Sequence, residues 1–253
     1  IINSKKIRIG YDPQTIPFCF FNQQNKLVGF DISYAYQLAY DLGCDKIDFI
    51  PIIYEKLGQQ LEQGAFDIAM SAISISAERL QNMSFPNPVL ETKIVFITKD
   101  SNRKKISSLK EIKQNTDLKI AVLANTSYEN IAYEEFPNHK ILSVKSYNNF
   151  NIDNPQWDFF IWEEQEAIAW TISNPNYHVV YPKSLAKKES LSYPIRLGDS
   201  EFLNFLNSWL ALKESDGFKE SQYRLWIMGK TAIAVPPNRR WSILDDVLYL
   251  NKK

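Results

Sequence analysis

Gly64-Ala65-Phe66-Asp67-Ile68-Ala69-Met70-Ser71-Ala72-Ile73-Ser74-Ile75-Ser76-Ala77-Glu78-Arg79 runs from a helix stop, through an apolar segment, to a polar turn. Gly64 ends the helix expected over Glu55–Gln63. Phe66–Ile73 predicts a buried strand. Ser76 is suited to cap a short helix over Ala77–Asn82. Working outward, helix and strand keep alternating. Upstream, Lys6–Gly10 predicts a first strand, Phe18–Asn22 and Lys26–Phe30 a hairpin, and Lys46–Ile53 another strand. Between them Ile32, Ala35, Leu38, Ala39 and Leu42 follow a helical period, with Asp31 as the expected cap and Gly43 as the stop. Such alternation argues for an α/β fold with largely parallel sheets.

Downstream, Thr92–Lys99 predicts a strand that leads into the polar stretch Asp100–Lys105, read as a crossing to a second lobe. The pattern then restarts with strands over Leu118–Leu123, Lys140–Val144, Asp158–Ile161 and Tyr177–Tyr181. Helices are expected over Tyr128–Glu135 and Gln165–Ile172. Tyr193–Leu197 reads as a strand returning to the first lobe, followed by helices over Ser200–Glu214 and Phe218–Met228 and a small one over Trp241–Leu250. The expected division is residues 1–98 plus 192–253 in one lobe and 99–191 inserted as the other, joined by two strands.

Composition removes several classes. Formal net charge is zero, against the cationic excess a nucleic-acid binder needs to neutralise phosphate. No apolar run reaches the length of a membrane helix. The start at Ile1-Ile2-Asn3-Ser4, without Met, fits a removed leader or a piece of a longer chain. Two cysteines, Cys19 and Cys44, are too few for a disulfide scaffold and read as buried thiols. The two histidines and two cysteines lack zinc-ligand spacing, so neither metal nor cofactor is expected.

Gly29-Phe30-Asp31 ahead of an amphipathic helix, the Gly64–Arg79 stretch followed by Ser84–Pro88, and Asp216-Gly217 ahead of Tyr223 and Trp226 together resemble the extracellular solute-binding proteins for polar amino acids. The resemblance spans residues 6–229 in order. It implies a type II periplasmic-binding-protein fold: two α/β lobes, each a mostly parallel sheet flanked by helices, two hinge strands, and a small amino-acid-like or carboxylate ligand taken in the cleft between lobes. Leu225–Gly229, Arg240–Ile243 and Val247-Leu248 are similar to the end of periplasmic domains fused to carriers of the dicarboxylate–cation symporter type. The implied partner is thus a membrane transporter, separate or fused, met outside the cytoplasm by a monomer.

Arg79 is the central candidate. Its planar guanidinium can take a carboxylate through two parallel hydrogen bonds, although a lone helix Arg is ordinarily a surface residue. The resemblance places beside it the hydroxyl of Ser74, with Ser71 at the same strand end; each could instead bond the local backbone. Ala72 stands where relatives often carry Gly or Ser. The resemblance also puts Asp12 near the ligand, with capping as the competing role, and Tyr54 over the ligand side chain, with core packing as the competing role. In the inserted lobe it implies Thr126, from Ala124-Asn125-Thr126-Ser127, at a helix start suited to an anion. It implies Glu163, in Asp158-Phe159-Phe160-Ile161-Trp162-Glu163, for the ligand ammonium; the alternative is an acidic helix start shared with Glu164 and Glu166. Two other functions fit the same residues: a cyclohexadienyl or prephenate-type dehydratase on this fold, and a sensory or structural domain that binds nothing.

Overall fold

The computed structural model describes residues 4–106, 108–124, 126–144, 156–182, 185 and 188–230. Asn125 and the expected helix over Trp241–Leu250 lie outside them. The chain divides into two compact units, Ile1–Glu91 with Glu189–Lys253 and Thr92–Lys188.

In the first unit Lys6–Tyr11 is a central strand, parallel to Lys46–Pro51 on one side and to Ile68–Ala69 on the other. Ile195–Arg196 and Met83–Ser84 complete the sheet in antiparallel fashion. The parallel strands are connected by the helices Phe30–Asp41 and Leu57–Glu62. The hairpin forms around shorter strands, Cys19–Phe21 and Leu27–Val28, and gains a third, Gln14–Thr15. Helix Ser200–Ser215 is capped by the Asp199 carboxylate, which accepts from the Phe202 amide at 3.3 Å. Its buried residues Leu206, Trp209, Leu210 and Lys213 recur on one face. Tyr34 sits among rings from four segments: Phe30, Tyr193, Trp209 and Phe218, with centroids 4.9–5.9 Å away.

The second unit is built on Lys140–Val144, Lys119–Leu123, Phe159–Glu163 and Leu90–Lys99, in that order, with Tyr177–Val180 also paired to the last. The first two pairings are parallel and the third antiparallel. Alternate residues of Leu90–Lys99 serve different cores. Ile94 and Phe96 pack with Phe136 and Phe159, while Val95 and Ile97 pack with Trp157, Phe160 and Trp162. Asp100–Ile106 is a run of 3-10 turns within this unit.

Three expectations are corrected. The strand read over Phe66–Ile73 is broken into Ile68–Ala69 and Ile73–Ser74, because Ala72 turns the chain at φ 49°. The helix read over Ala77–Asn82 is a single 3-10 turn, Arg79–Gln81, with the Ser76 hydroxyl accepting from the Arg79 amide at 3.2 Å. Of the two cysteines only Cys19 is buried; both are free thiols, and Cys44 is partly exposed.

Candidate functional site

The short ladder between Ile73–Ser74 and Lys188–Ser192 sets the site in the first unit, with Leu191 opposite Ser74 and Ser192 opposite Ile73. From its end the chain turns back so that Arg79 reaches Ser74. Arg79 Nη1 donates to Ser74 Oγ at 2.7 Å and to the Ser74 carbonyl at 2.8 Å. Among the described residues no carboxylate pairs with Arg79. A half-buried guanidinium anchored at one nitrogen, without an acid partner, is receptive to an anion. Ser74 Oγ accepts from Arg79 and keeps its own proton to donate.

Asp12 and Ser71 meet beside this pair. The fully buried Ser71 Oγ accepts from the Asp12 amide at 3.0 Å and lies 3.2 Å from the Thr15 hydroxyl. The Asp12 carboxylate accepts from the Gln14 amide at 3.0 Å, the turn expected before Pro13. Tyr54 donates its hydroxyl to the Ser71 carbonyl at 3.4 Å. With 38% of its surface exposed, Tyr54 is not a core ring. Tyr54 and Arg79 also line a hollow of about 730 Å³, with Glu55, Glu78 and Arg196 on its wall. The five first-lobe candidates are thus brought together.

The second unit carries the other two. Thr126 is the N-cap of helix Ser127–Glu135, but its hydroxyl donates back to the Leu123 carbonyl at 2.7 Å instead of capping. Glu163 ends strand Phe159–Glu163 and is the N-cap of Glu164–Ser173. Its Oε2 accepts from the Tyr128 hydroxyl at 3.5 Å. The neighbouring acids point to other partners: Glu164 lies 3.9 Å from Lys93 Nζ, and Glu166 accepts from the Trp162 indole.

Asp31 is not the helix cap that the sequence suggests. Gly29 occupies the N-cap of helix Phe30–Asp41, and Asp31 lies inside the first turn. Its carboxylate is 2% exposed. One oxygen accepts from the Ala72 amide at 2.6 Å and the other from the Tyr193 hydroxyl at 2.7 Å. Burial pushes the Asp31 carboxyl up to about 6, against the two hydrogen bonds that hold it down. Beside it, burial and the Asp31 charge raise the Cys19 thiol.

The Asp31 shift has a definite sign. Unfolded, this carboxyl is ionised above about pH 4; folded, it holds its proton to about pH 6. Its contribution therefore favours the folded state at low pH and is lost as pH rises through that window. Asp31→Asn, neutral throughout, should gain stability over the wild type at pH 7.5 relative to pH 4.5, by on the order of 2 kcal/mol. Denaturant unfolding of both proteins at the two pH values checks this. An equal difference at both would show that Asp31 is not perturbed.

Two α/β units, the first offering an anchored guanidinium with which no carboxylate pairs among the described residues, define the class of type II periplasmic binding proteins. The sequence model of the bacterial extracellular solute-binding proteins, family 3, matches residues 7–229, and the chain belongs to that family. The ABC transporter arginine-binding protein 1 of Escherichia coli strain K12 is 26% identical over 219 residues, covering 85% of this chain and 87% of that one. Cyclohexadienyl dehydratase of Pseudomonas aeruginosa is 25% identical over 231 residues, covering 90% and 84%. Among solved structures, an ancestral cationic amino acid solute-binding protein superposes with a TM-score of 0.82 at 29% identity, covering 90% of this chain and 97% of that one. Among the described residues no group of acids, histidines and cysteines is placed to hold a metal, and no helix is long and apolar enough to cross a membrane.

Proposed function

We propose that this chain captures a free amino acid outside the cytoplasm, with no turnover, and hands it to a membrane transporter. The carrying observation is the Arg79 guanidinium, fixed on Ser74 and lacking an acid partner among the described residues. The ligand α-carboxylate pairs with Arg79 and accepts a hydrogen bond from the Ser74 hydroxyl. Asp12 and Ser71, bonded to each other, form the adjoining wall, and Tyr54 covers the ligand side chain. Thr126 and Glu163 of the second unit contribute the remaining polar contacts, Glu163 to the ammonium. Arginine and lysine are the first ligands to test, since the relatives include proteins named for arginine and for cationic amino acids. The transporter partner is an ABC permease as for the first relative, or a fused carrier if the tail resemblance holds.

A thermal-shift screen of the amino acids tests this, because a ligand that binds only the folded form raises its melting temperature. Small-angle scattering with and without the best ligand then asks whether both units take part. Compaction at saturation is expected if binding shifts an open–closed equilibrium, and an unchanged profile would argue against it.

Glu163→Gln keeps the side-chain size and removes the charge. It should weaken amino-acid binding by about 1.5–3 kcal/mol, the worth of a charged hydrogen bond, as read by calorimetric titration. If a dicarboxylate binds instead, and Glu163→Gln improves it, the ligand has no ammonium at this position.

The dehydratase relative favours a second reading, in which the same fold eliminates water, with loss of the ring carboxylate as carbon dioxide, from a cyclohexadienyl acid. That chemistry needs a general acid at the leaving group. Asp12 and Glu163 are the only acids among the proposed ligand residues to fill that role, and Asp12 is engaged with the Gln14 amide. Release of an aromatic acid from such a substrate would establish it.

A further inference from the structure

Ala72 adopts φ 49°, a left-handed backbone that a residue with a Cβ rarely occupies. Its amide donates to Asp31 Oδ2 at 2.6 Å. Asp31 Oδ1 accepts from Tyr193, which directly follows strand Lys188–Ser192. That strand pairs with Ile73–Ser74, so one buried carboxylate grips both sides of the ladder that carries Ser74. Ser74 in turn anchors Arg79 through its hydroxyl and its carbonyl. Asp31 itself is 2% exposed and is not placed to touch a ligand.

We propose that Asp31 is a positioning residue for the carboxylate site: by holding the left-handed turn at Ala72 and the Tyr193 hydroxyl together, it sets where Ser74 and Arg79 are presented. The inference rests on the functional reading above only for what Ser74 and Arg79 bind. Three substitutions separate positioning from plain stabilisation. Asp31→Ala leaves the Ala72 amide and the Tyr193 hydroxyl without their acceptor. Asp31→Asn retains both contacts, its oxygen accepting from Ala72 and its amide donating to the tyrosine oxygen. Adding Ala72→Gly to Asp31→Ala lets the turn keep its positive φ without being held, because glycine adopts that conformation freely.

The experiment is calorimetric titration of the full chain with L-arginine, beside melting curves and the Ala72 amide resonance followed from pH 5 to 8. Asp31→Ala is expected to weaken binding at least about tenfold, and Asp31→Asn or added Ala72→Gly to recover most of that loss. Should Asp31→Ala not fold, Tyr193→Phe, which removes one donor only, carries the test with a smaller loss. Wild-type affinity in Asp31→Ala or Tyr193→Phe would overturn the proposal, as would failure of both rescues.

The amide titration needs no ligand. A carboxylate 2.6 Å away should move the Ala72 resonance with a midpoint near pH 6. The other titratable groups that feel the Asp31 charge, Tyr34, Tyr193 and Cys19, are all raised by burial and lie clear of that midpoint. If the wild type binds no L-arginine, that choice of ligand fails while a titrating Ala72 amide upholds the tie. An amide that does not titrate overturns the proposal whatever binds.

Discussion

Arg79→Ala should lower affinity for the captured amino acid on the order of a hundredfold or more while the unliganded protein melts near its wild-type temperature. A carboxylate that leaves water for a protein site must replace its hydration with charge-assisted hydrogen bonds. With alanine at 79 the ligand retains only the Ser74 hydroxyl from this corner. The fold should tolerate the change because the guanidinium is bonded only to Ser74, within its own turn, and joins no ion pair among the described residues. Arg79→Lys separates charge from shape. A lysine ammonium lacks the fork that takes a carboxylate bidentately, so binding should fall here too, though less. Calorimetric titration of both variants beside melting curves reads the two effects separately. A collapse of the unliganded Arg79→Ala protein would instead make Arg79 a structural residue.

Gly29→Ala should produce the largest loss of stability of any single methyl added to the first unit. Gly29 has φ 136° and ψ 178°, a combination essentially restricted to glycine. A Cβ there would lie 2.0 Å from the Phe18 carbonyl oxygen and 2.5 Å from its carbon. Neither atom can yield easily, because the Phe18 carbonyl accepts from the Asp31 amide at 3.0 Å and the Pro17 carbonyl accepts from the Phe30 amide at 3.0 Å. The helix start would have to move, and Asp31 with it, away from Ala72 and Tyr193. The expected loss is at least about 3 kcal/mol, or a drop of at least about 6 °C in melting temperature for a chain of this size. An alanine variant that melts like the wild type would mean that the turn before the helix is not held as described.

Local signals carried most of the architecture. Helices Ser200–Ser215 and Phe218–Trp226 were legible because Asp199 and Gly217 mark their starts and the apolar period fixes their faces. The Ser74–Arg79 pair was legible through the family resemblance, which places a hydroxyl five residues before the arginine. Asp31 was not. Its partners Ala72 and Tyr193 are 41 and 162 residues away, and a contact at that distance leaves no mark in a short window of sequence. The only local hint was that Gly29 precedes it, which reads equally well as an ordinary loop. The break at Ala72 was hidden for a related reason. Ala72 lies inside an apolar run that reads as one strand, and the Asp31 acceptor that holds its positive φ is distant in sequence. For the ammonium the resemblance implied Glu163, with Glu164 and Glu166 close enough in sequence to compete. The contacts of Glu164 with Lys93 and of Glu166 with Trp162 leave no mark in a local pattern.

Amino-acid capture without turnover is tested most directly by calorimetric titration of the wild-type chain with L-arginine, L-lysine and the remaining amino acids, with each mixture then analysed for product. A prephenate-like cyclohexadienyl acid is carried through the same procedure. The expected result is saturable binding of at least one amino acid at one site per chain, with every ligand recovered unchanged. Conversion of the cyclohexadienyl acid to an aromatic acid, or no heat and no thermal shift with any amino acid, would contradict it.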